Sequence, residues 1–192
     1  MALTKSTMLK LGSTAPDFSL PDPSGEMHSL SDFTDAPAML VMFICNHCPY
    51  VKHLKKVIVE FAKKYQERGV AIVAINSNDF SAYSDDNPDK MQDDIKAFGY
   101  TFPYLIDETQ DIAKAYRAAC TPDFFFFDGD RKLVYRGQFD DSRPGNDVPI
   151  TGADLEAAIE ATLKGRPIET DQKPSIGCNI KWKPDNEPDY FQ

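Results

Sequence analysis

The stretch Ala38-Met-Leu-Val-Met-Phe-Ile44, followed at once by Cys45-Asn-His-Cys48 and Pro49, decides the fold of this chain. Seven apolar residues without a polar break are typical of a strand buried on both faces, as in parallel sheets covered by helices. From Pro49 to Tyr65 apolar residues recur at steps of three and four, which predicts an amphipathic helix closed by Gly69. A C-x-x-C motif therefore lies where a buried strand passes into a helix.

The rest of the chain repeats this alternation of strand and helix. The patterns predict, in chain order, a strand over 70–75, a helix over 88–98, a strand over 103–106, a short helix over 109–118, strands over 123–127 and 132–137, and a helix over 152–164. Residues 15–33 are typical of two short strands joined by a turn that contains Pro and Gly. We therefore expect an α/β fold in which a central mixed β-sheet is flanked by helices, with an N-terminal β-hairpin.

Composition and charge exclude several classes of function. The chain has 192 residues, and we assign 1–165 to one domain and 166–192 to a C-terminal extension packed on it. The net charge of -9 argues against binding to nucleic acid or to anionic membranes, because both require a basic surface. The longest apolar stretch, 36–45, is too short to span a bilayer, and residues 1–16 show no secretory signal, so we expect a cytoplasmic protein.

The cysteine pair carries the chemistry. Its position places Cys45 near a helix N-terminus, where backbone N–H groups and the helix dipole favour a thiolate. The sulfur of Cys48 is within reach to resolve a mixed disulfide, and a positive charge on His47 would lower the thiol pKa of Cys45 further. A zinc site and inert buried thiols are the alternatives, although zinc would need four ligands and no second ligand pair is present. The pattern favours redox chemistry, with no metal and no cofactor.

Several motifs together resemble one known family. They are Ala15-Pro-Asp-Phe-x-Leu20 with Gly25, the C-x-x-C between strand and helix, and Tyr116-x5-Pro122-x2-Phe125-x2-Asp128 with Arg136-Gly137. In this order they look like the thioredoxin fold, and more narrowly its redoxin branch, which holds alkyl hydroperoxide reductase, thiol-specific antioxidant and TlpA-like proteins. The resemblance covers residues 11–164. The stretch Gly177-Cys-x-Ile-Lys-Trp182 is similar to the tail of small soluble members of this branch.

The resemblance implies a thiol-disulfide oxidoreductase. Cys45 would be the attacking thiolate and Cys48 the resolving thiol, with His47 between them. Thr121-Pro122 would match the family's cis-proline, whose loop binds the substrate by offering backbone groups to the partner's extended chain. Partners would then be protein disulfides or dithiols, together with a system that supplies reductant.

Some positions depart from the family pattern. Met39 and Val51 stand where related proteins carry a proton-relaying carboxylate, which leaves His47 as the nearest titratable group and Asp123 as a weaker candidate. A thiol-dependent peroxidase is the alternative function. However, Met42 stands in the place of the peroxidase threonine, and a thioether cannot donate a hydrogen bond to peroxide. A non-catalytic interaction module with vestigial cysteines is the third possibility.

Cys120 and Cys178 are possible accessory thiols. Cys120 lies two residues before Pro122, where it is either a small buried hydrophobic residue or a third redox thiol. Cys178 lies in an extension without period that also contains Ile176, Ile180, Trp182, Tyr190 and Phe191. These apolar side chains predict that the extension packs on the domain. If Cys178 comes within disulfide range of Cys45 or Cys120, the extension is a redox-controlled cover, and otherwise Cys178 is structural.

Overall fold

The apolar stretch that begins at Ala38 forms the central strand of a five-stranded sheet. In a computed structural model, residues 3–191 are described. Their strands are β1 (Leu3–Lys5), β2 (Ser19–Pro21), β3 (Met27–Ser29), β4 (Ala38–Phe43), β5 (Ala71–Asn76), β6 (Tyr104–Ile106), β7 (Cys120–Thr121), β8 (Asp123–Asp128), β9 (Leu133–Gly137) and β10 (Ile176–Asn179). Their α-helices are α1 (Pro49–Gln66), α2 (Pro88–Phe98), α3 (Asp111–Ala115) and α4 (Ala153–Leu163).

The central sheet has the order β6-β5-β4-β8-β9. Strands β4, β5 and β6 are parallel, and helical crossovers connect them, whereas β8 and β9 pair antiparallel and form a hairpin. Strands β2 and β3 form a separate N-terminal hairpin. This is the mixed α/β architecture that the alternating patterns predict. No helix among residues 3–191 is long and apolar enough to cross a membrane.

Both faces of the central strand are covered, because neighbouring side chains of a strand point to opposite sides. Leu40 and Met42 face a core that α1 and α4 complete, while Met39, Val41 and Phe43 face a second core. The first core contains Val51, Leu54, Ile58, Phe61, Tyr65, Leu155 and Ile159, and the second contains Phe18, Leu20, Tyr116, Ile180 and Trp182. The unbroken apolar run therefore reflects a strand without a solvent-facing side.

The C-terminal extension contributes a strand that the sequence does not predict. Strand β10 pairs antiparallel with β1 on one edge and with β7 on the other, so that Cys178 lies opposite both Leu3 and Thr121. The sequence analysis assigns no strand to the extension, and the structure adds one at Ile176–Asn179. Four residues, one of them glycine, are too few to show a period. The strand forms because β1 and β7, which are distant in sequence, both pair with it.

Gly177 is the residue that lets β10 approach the domain. A Cβ at this position would lie 2.0 Å from the backbone carbonyl oxygen of Thr121. Beyond the strand, Ile180 and Trp182 are buried in the second core, and the Tyr190 hydroxyl donates to the carbonyl oxygens of Ala113 and Ala118. The extension is thus held along most of its length.

Substitution of Gly177 by Ala should loosen β10 from β7, because the added methyl group overlaps a backbone oxygen that cannot move aside. We expect a loss of about 1–3 kcal/mol in the free energy of unfolding, measured by urea titration. We also expect faster reaction of Cys178 with a thiol reagent in the folded protein. Gly12→Ala is the matched control, because Gly12 has a positive φ of 82° but open space around its Cβ position. A labelling rate equal in both variants would contradict the role assigned to Gly177.

Candidate active site

Cys45 and Cys48 meet the segment around Pro122 in the interior of the protein. Both cysteines are buried, with 1% and 0% of their surface exposed. The Cys45 Sγ lies 3.3 Å from the Thr121 hydroxyl, and the Cys48 Sγ lies 3.2 Å from the Thr121 carbonyl oxygen. The Thr121-Pro122 peptide bond is cis, as the resemblance implies. Four residues singled out in the sequence are therefore brought together from two distant segments.

Cys48 occupies the N-cap of α1, with Pro49 as the first helical residue. Its sulfur makes no regular capping hydrogen bond, but hydrogen bonding by the Cys178 and Cys45 thiols, helped by the Val51 backbone N–H, holds the pKa of Cys48 far below that of a free thiol. The Thr121 carbonyl oxygen acts against this lowering of the Cys48 pKa, because it accepts a hydrogen bond only from a protonated sulfur. The two neighbouring thiols and the helix N-terminus outweigh it.

The surroundings of Cys45 act against the expectation that it has the lower pKa. Burial raises the pKa of Cys45, and negative charge on Cys48 and Asp86 raises it further. The sequence places a four-residue motif at a helix start, but the N-cap is its last residue and not its first. The surroundings of the pair consequently favour a thiolate at Cys48 more than one at Cys45.

His47 is paired with a carboxylate that sequence analysis missed. Its Nδ1 lies 2.6 Å from Oδ2 of Asp86, which is fully buried near the end of the loop between β5 and α2. Asp86 also accepts hydrogen bonds from the Asn78 side chain at 2.7 Å and the Asn46 backbone N–H at 2.7 Å. Burial alone would raise the pKa of Asp86, but these hydrogen bonds hold it below its ordinary value. Asp86 is therefore a buried anion that orients the imidazole.

Nothing in the sequence distinguishes Asp86 from its acidic neighbours. The residues from Asp79 to Asp94 are typical of a solvated loop and helix start, and Asp85 is exposed as expected. Asp86 is buried because a short 3-10 turn over Ser84–Asp86 points it at the backbone of Asn46. Only the contact between two loops far apart in sequence reveals its role.

The outer face of His47 is covered by Tyr83. The two rings stack with their centroids 5.5 Å apart and their planes 12° apart. Within the described residues the His47 Nε2 is buried and has no hydrogen-bond partner. Nδ1 donates to the ionised Asp86, which leaves Nε2 as the ring nitrogen that no residue of 3–191 engages.

Among residues 3–191, two groups of side chains have the composition of a metal site. Cys45, His47 and Asp86 each offer one ligand atom, and these atoms lie within 4.8 Å of one another. Both oxygens of Asp86 are already engaged by protein donors, and Cys48 is turned toward Cys178, so the described residues offer no fourth ligand for zinc. Asp22, Glu26 and His28 form the other group, on the N-terminal hairpin. The first arrangement favours redox chemistry over metal binding.

The two accessory cysteines have different surroundings. Cys120 is fully buried, its Sγ lies 3.7 Å from the Pro122 carbonyl oxygen, and burial raises its pKa. That environment is typical of a small buried hydrophobic residue. The Cys178 Sγ lies 2.8 Å from the Cys48 Sγ. The extension does reach the active site, but through Cys48, whereas the sequence analysis considered Cys45 and Cys120 as its targets.

Asp123 follows the cis bond directly and is fully buried at the start of β8. Burial raises its pKa well above the ordinary value, and the backbone N–H groups of Ala119 and Phe124 offset this only in part. Burial thus disfavours the charged form of Asp123, whereas hydrogen bonds favour the carboxylate of Asp86 beside His47.

The ionisation order can be read from thiolate absorbance near 240 nm as a function of pH. We expect the wild-type protein to keep thiolate absorbance well below pH ~8.5, the value of a free thiol. Cys45→Ser should keep this absorbance and Cys48→Ser should lose it, because the stabilising groups surround Cys48. The reverse pattern would restore the assignment of the low pKa to Cys45.

Asp86→Asn should destabilise the protein near neutral pH. Hydrogen bonds to a charged group contribute about 1–3 kcal/mol, and Asn cannot reproduce the charge. Because the pKa of Asp86 is lower in the folded state, its contribution is complete above the unfolded value of about 3.9 and disappears as the pH falls through the folded value. Urea titrations of both proteins across this range test the pH dependence. A difference that is the same at every pH would contradict it.

Comparison with known proteins gives a curated relative and a more distant solved structure. The thiol-disulfide oxidoreductase ResA of Geobacillus thermodenitrificans (strain NG80-2) is 32% identical over 136 residues, which cover 68% of this chain and 70% of the relative. A thiol:disulfide interchange protein of the thioredoxin family from Chlorobium tepidum TLS superimposes with a TM-score of 0.62 at 18% identity, over 80% of this chain and 98% of that one. At that identity the match shows the thioredoxin-like fold alone.

A closer structural match and a family model cover more of the chain. A hypothetical protein from Sinorhizobium meliloti 1021 is 52% identical and superimposes with a TM-score of 0.93, over 94% of this chain and 99% of that one. The family model described as Redoxin matches residues 10–155, which include β4, α1 and the cis-proline segment. By its sequence, and by the fold that its strands and helices form, the chain belongs to the Redoxin family.

Proposed function

We propose that this protein is a thiol-disulfide oxidoreductase that exchanges disulfides with protein partners through Cys45 and Cys48. The contact of both sulfurs with Thr121 is the observation that carries the proposal, because it places a dithiol against the cis-proline segment. The activity is the one named for the ResA relatives. The helix N-terminus and the buried His47–Asp86 pair supply the electrostatics that such chemistry needs.

In the reducing direction, the reaction begins with a proton shift. The Cys45 thiol passes its proton to the adjacent Cys48 thiolate, and the Cys45 thiolate attacks one sulfur of the partner's disulfide. A mixed disulfide forms on Cys45, and the partner's other sulfur leaves as a thiolate that takes the proton from Cys48. The Cys48 thiolate then attacks the Cys45 Sγ and expels the partner's second sulfur. The partner gains two electrons, and Cys45 and Cys48 are left as a disulfide.

His47 handles the remaining proton. We assign protonation of the second leaving thiolate to its Nε2, since Nδ1 is held by Asp86. The dithiol must then be regenerated by an external thiol system, which is the second partner that the proposal requires.

A cytoplasmic location stays a prediction, and fractionation of cells that express the protein tests it.

A peroxidase is disfavoured by the interior of β4. Met42, which stands in the place of the peroxidase threonine, is buried in the strand and has no hydrogen-bond donor. The Thr121 hydroxyl contacts Cys45, but it belongs to the substrate-binding segment of the proposed disulfide exchange. Dithiol-disulfide exchange therefore accounts for more of the site than peroxide reduction does.

Two assays carried out on the same preparation separate the functions. With dithiothreitol as reductant, the wild-type protein should accelerate the reduction of insulin disulfides, and Cys45→Ser should abolish the acceleration because the mixed disulfide cannot form. Cys120→Ser is the matched control and should keep the activity, since its thiol contacts neither Cys45 nor Cys48 directly. Consumption of hydrogen peroxide above the dithiothreitol background, without insulin reduction, would favour the peroxidase.

A further inference from the structure

Three sulfur atoms, and not two, lie together at the active site. The Cys48 Sγ is 2.8 Å from the Cys178 Sγ and also adjoins the Cys45 thiol. Cys178 is 4% exposed and lies outside the segment matched by the Redoxin family model. Cys48 therefore has one thiol neighbour from the motif and one from the C-terminal extension.

The position of Cys178 is set by backbone pairing. Cys178 lies directly opposite Thr121, the residue whose hydroxyl and carbonyl groups contact Cys45 and Cys48. Gly177 permits this closeness, since any larger residue would collide with the Thr121 carbonyl oxygen. Residues paired directly in an antiparallel sheet have their side chains on the same face, which brings the sulfur of Cys178 toward the cysteine pair.

The chain after Cys178 is anchored as well. The Lys181 backbone N–H donates to the Asn78 side chain at 2.8 Å, and its carbonyl oxygen accepts from the Asp79 backbone N–H at 2.8 Å. Asn78 in turn donates to Asp86, the carboxylate that orients His47. The extension is thus held at Cys178 by pairing with Thr121 and at Lys181 by hydrogen bonds to Asn78 and Asp79. These contacts fix the position of the Cys178 sulfur beside Cys48.

We propose that Cys178 is a third redox thiol, which takes over the disulfide from the Cys45–Cys48 pair and joins the C-terminal extension to Cys48. The inference rests on the proposed function, because that reaction supplies the first disulfide. The Cys178 thiolate attacks the Cys48 Sγ, so the Cys48–Cys178 bond forms and the Cys45–Cys48 bond breaks. Cys45 leaves as a thiolate and takes the proton that Cys178 has lost. No electrons enter or leave the protein in this step.

The exchange gives the oxidised protein two forms, one with a Cys45–Cys48 disulfide and one with a Cys48–Cys178 disulfide. In the second form Cys45 is again a thiol, while Cys48 is bonded to Cys178. A mixed disulfide formed on Cys45 in that state cannot be resolved by Cys48, so release of the partner waits until the Cys48–Cys178 bond is reduced. Cys178 thereby regulates the resolving step.

Peptide mapping of the wild-type protein tests the inference without any substitution. The reduced protein is incubated with oxidised glutathione, alkylated, digested with trypsin and analysed without reduction. Trypsin leaves both motif cysteines in the peptide 11–52, Cys120 in 118–131 and Cys178 in 165–181. We expect peptide 11–52 joined to 165–181, with one alkylated cysteine, which is Cys45. If 11–52 carries only its internal disulfide and 165–181 is always alkylated, the inference is overturned.

Two double variants show which sulfur is joined. Cys45→Ser/Cys120→Ser keeps Cys48 and Cys178, and oxidised glutathione should reduce its thiol titre from two to zero. Cys48→Ser/Cys120→Ser keeps Cys45 and Cys178 and is the matched control, which should not form the link between 11–52 and 165–181. Equal linkage in both variants would show a mobile extension and would overturn the specific pairing with Cys48.

The insulin assay separates this inference from the proposed function. Insulin reduction by the wild-type protein without the 11–52 to 165–181 link would leave the oxidoreductase standing and remove the role of Cys178. The link without insulin reduction would show a redox-active Cys48–Cys178 pair and remove the proposed exchange with protein partners.

Discussion

Thr121 lies between the cysteines of this protein, and the arrangement of the site depends on it. Its hydroxyl contacts Cys45, its carbonyl oxygen contacts Cys48, and its backbone pairs with Cys178. The Thr121-Pro122 bond is cis and lies directly before β8. The short strand β7 is therefore the point at which the Redoxin domain and the C-terminal extension meet.

Burial decides the electrostatics around this point. Because water is largely excluded, each charge must be compensated by neighbouring donors. Asp86 is stabilised by His47, Asn78 and a backbone N–H group, and Cys48 is stabilised by two thiols and a helix N-terminus. Asp123 lacks comparable donors, so burial raises the pKa of its carboxyl group. Asp86 and Asp123 are both fully buried, and their pKa values move in opposite directions because their hydrogen-bond partners differ.

The extension adds strand β10, which lies beyond the segment that the Redoxin family model matches. The Redoxin match ends at residue 155, and β10 returns from beyond it to the edge of β7. The solved structure from Sinorhizobium meliloti matches 94% of this chain, so the similarity extends beyond the family segment and includes part of the chain after residue 155. Pairing with β1 on one side and with β7 on the other gives the extension a fixed place, and the Cys178 sulfur on β10 thereby acquires a fixed neighbour.

The sequence by itself determined the central strand, the long helix and the cysteine pair between them, because buried strands and amphipathic helices leave local periodic patterns. The family resemblance extended this to the cis bond at Pro122. Only the tertiary structure decided that Asp86 is buried beside His47, that the surroundings of Cys48 favour a thiolate more than those of Cys45, and that Cys178 meets Cys48. Each of these depends on contacts between segments far apart in the chain. Such contacts leave no period in the sequence, since burial, pairing and charge compensation at a residue are set by what the fold brings next to it.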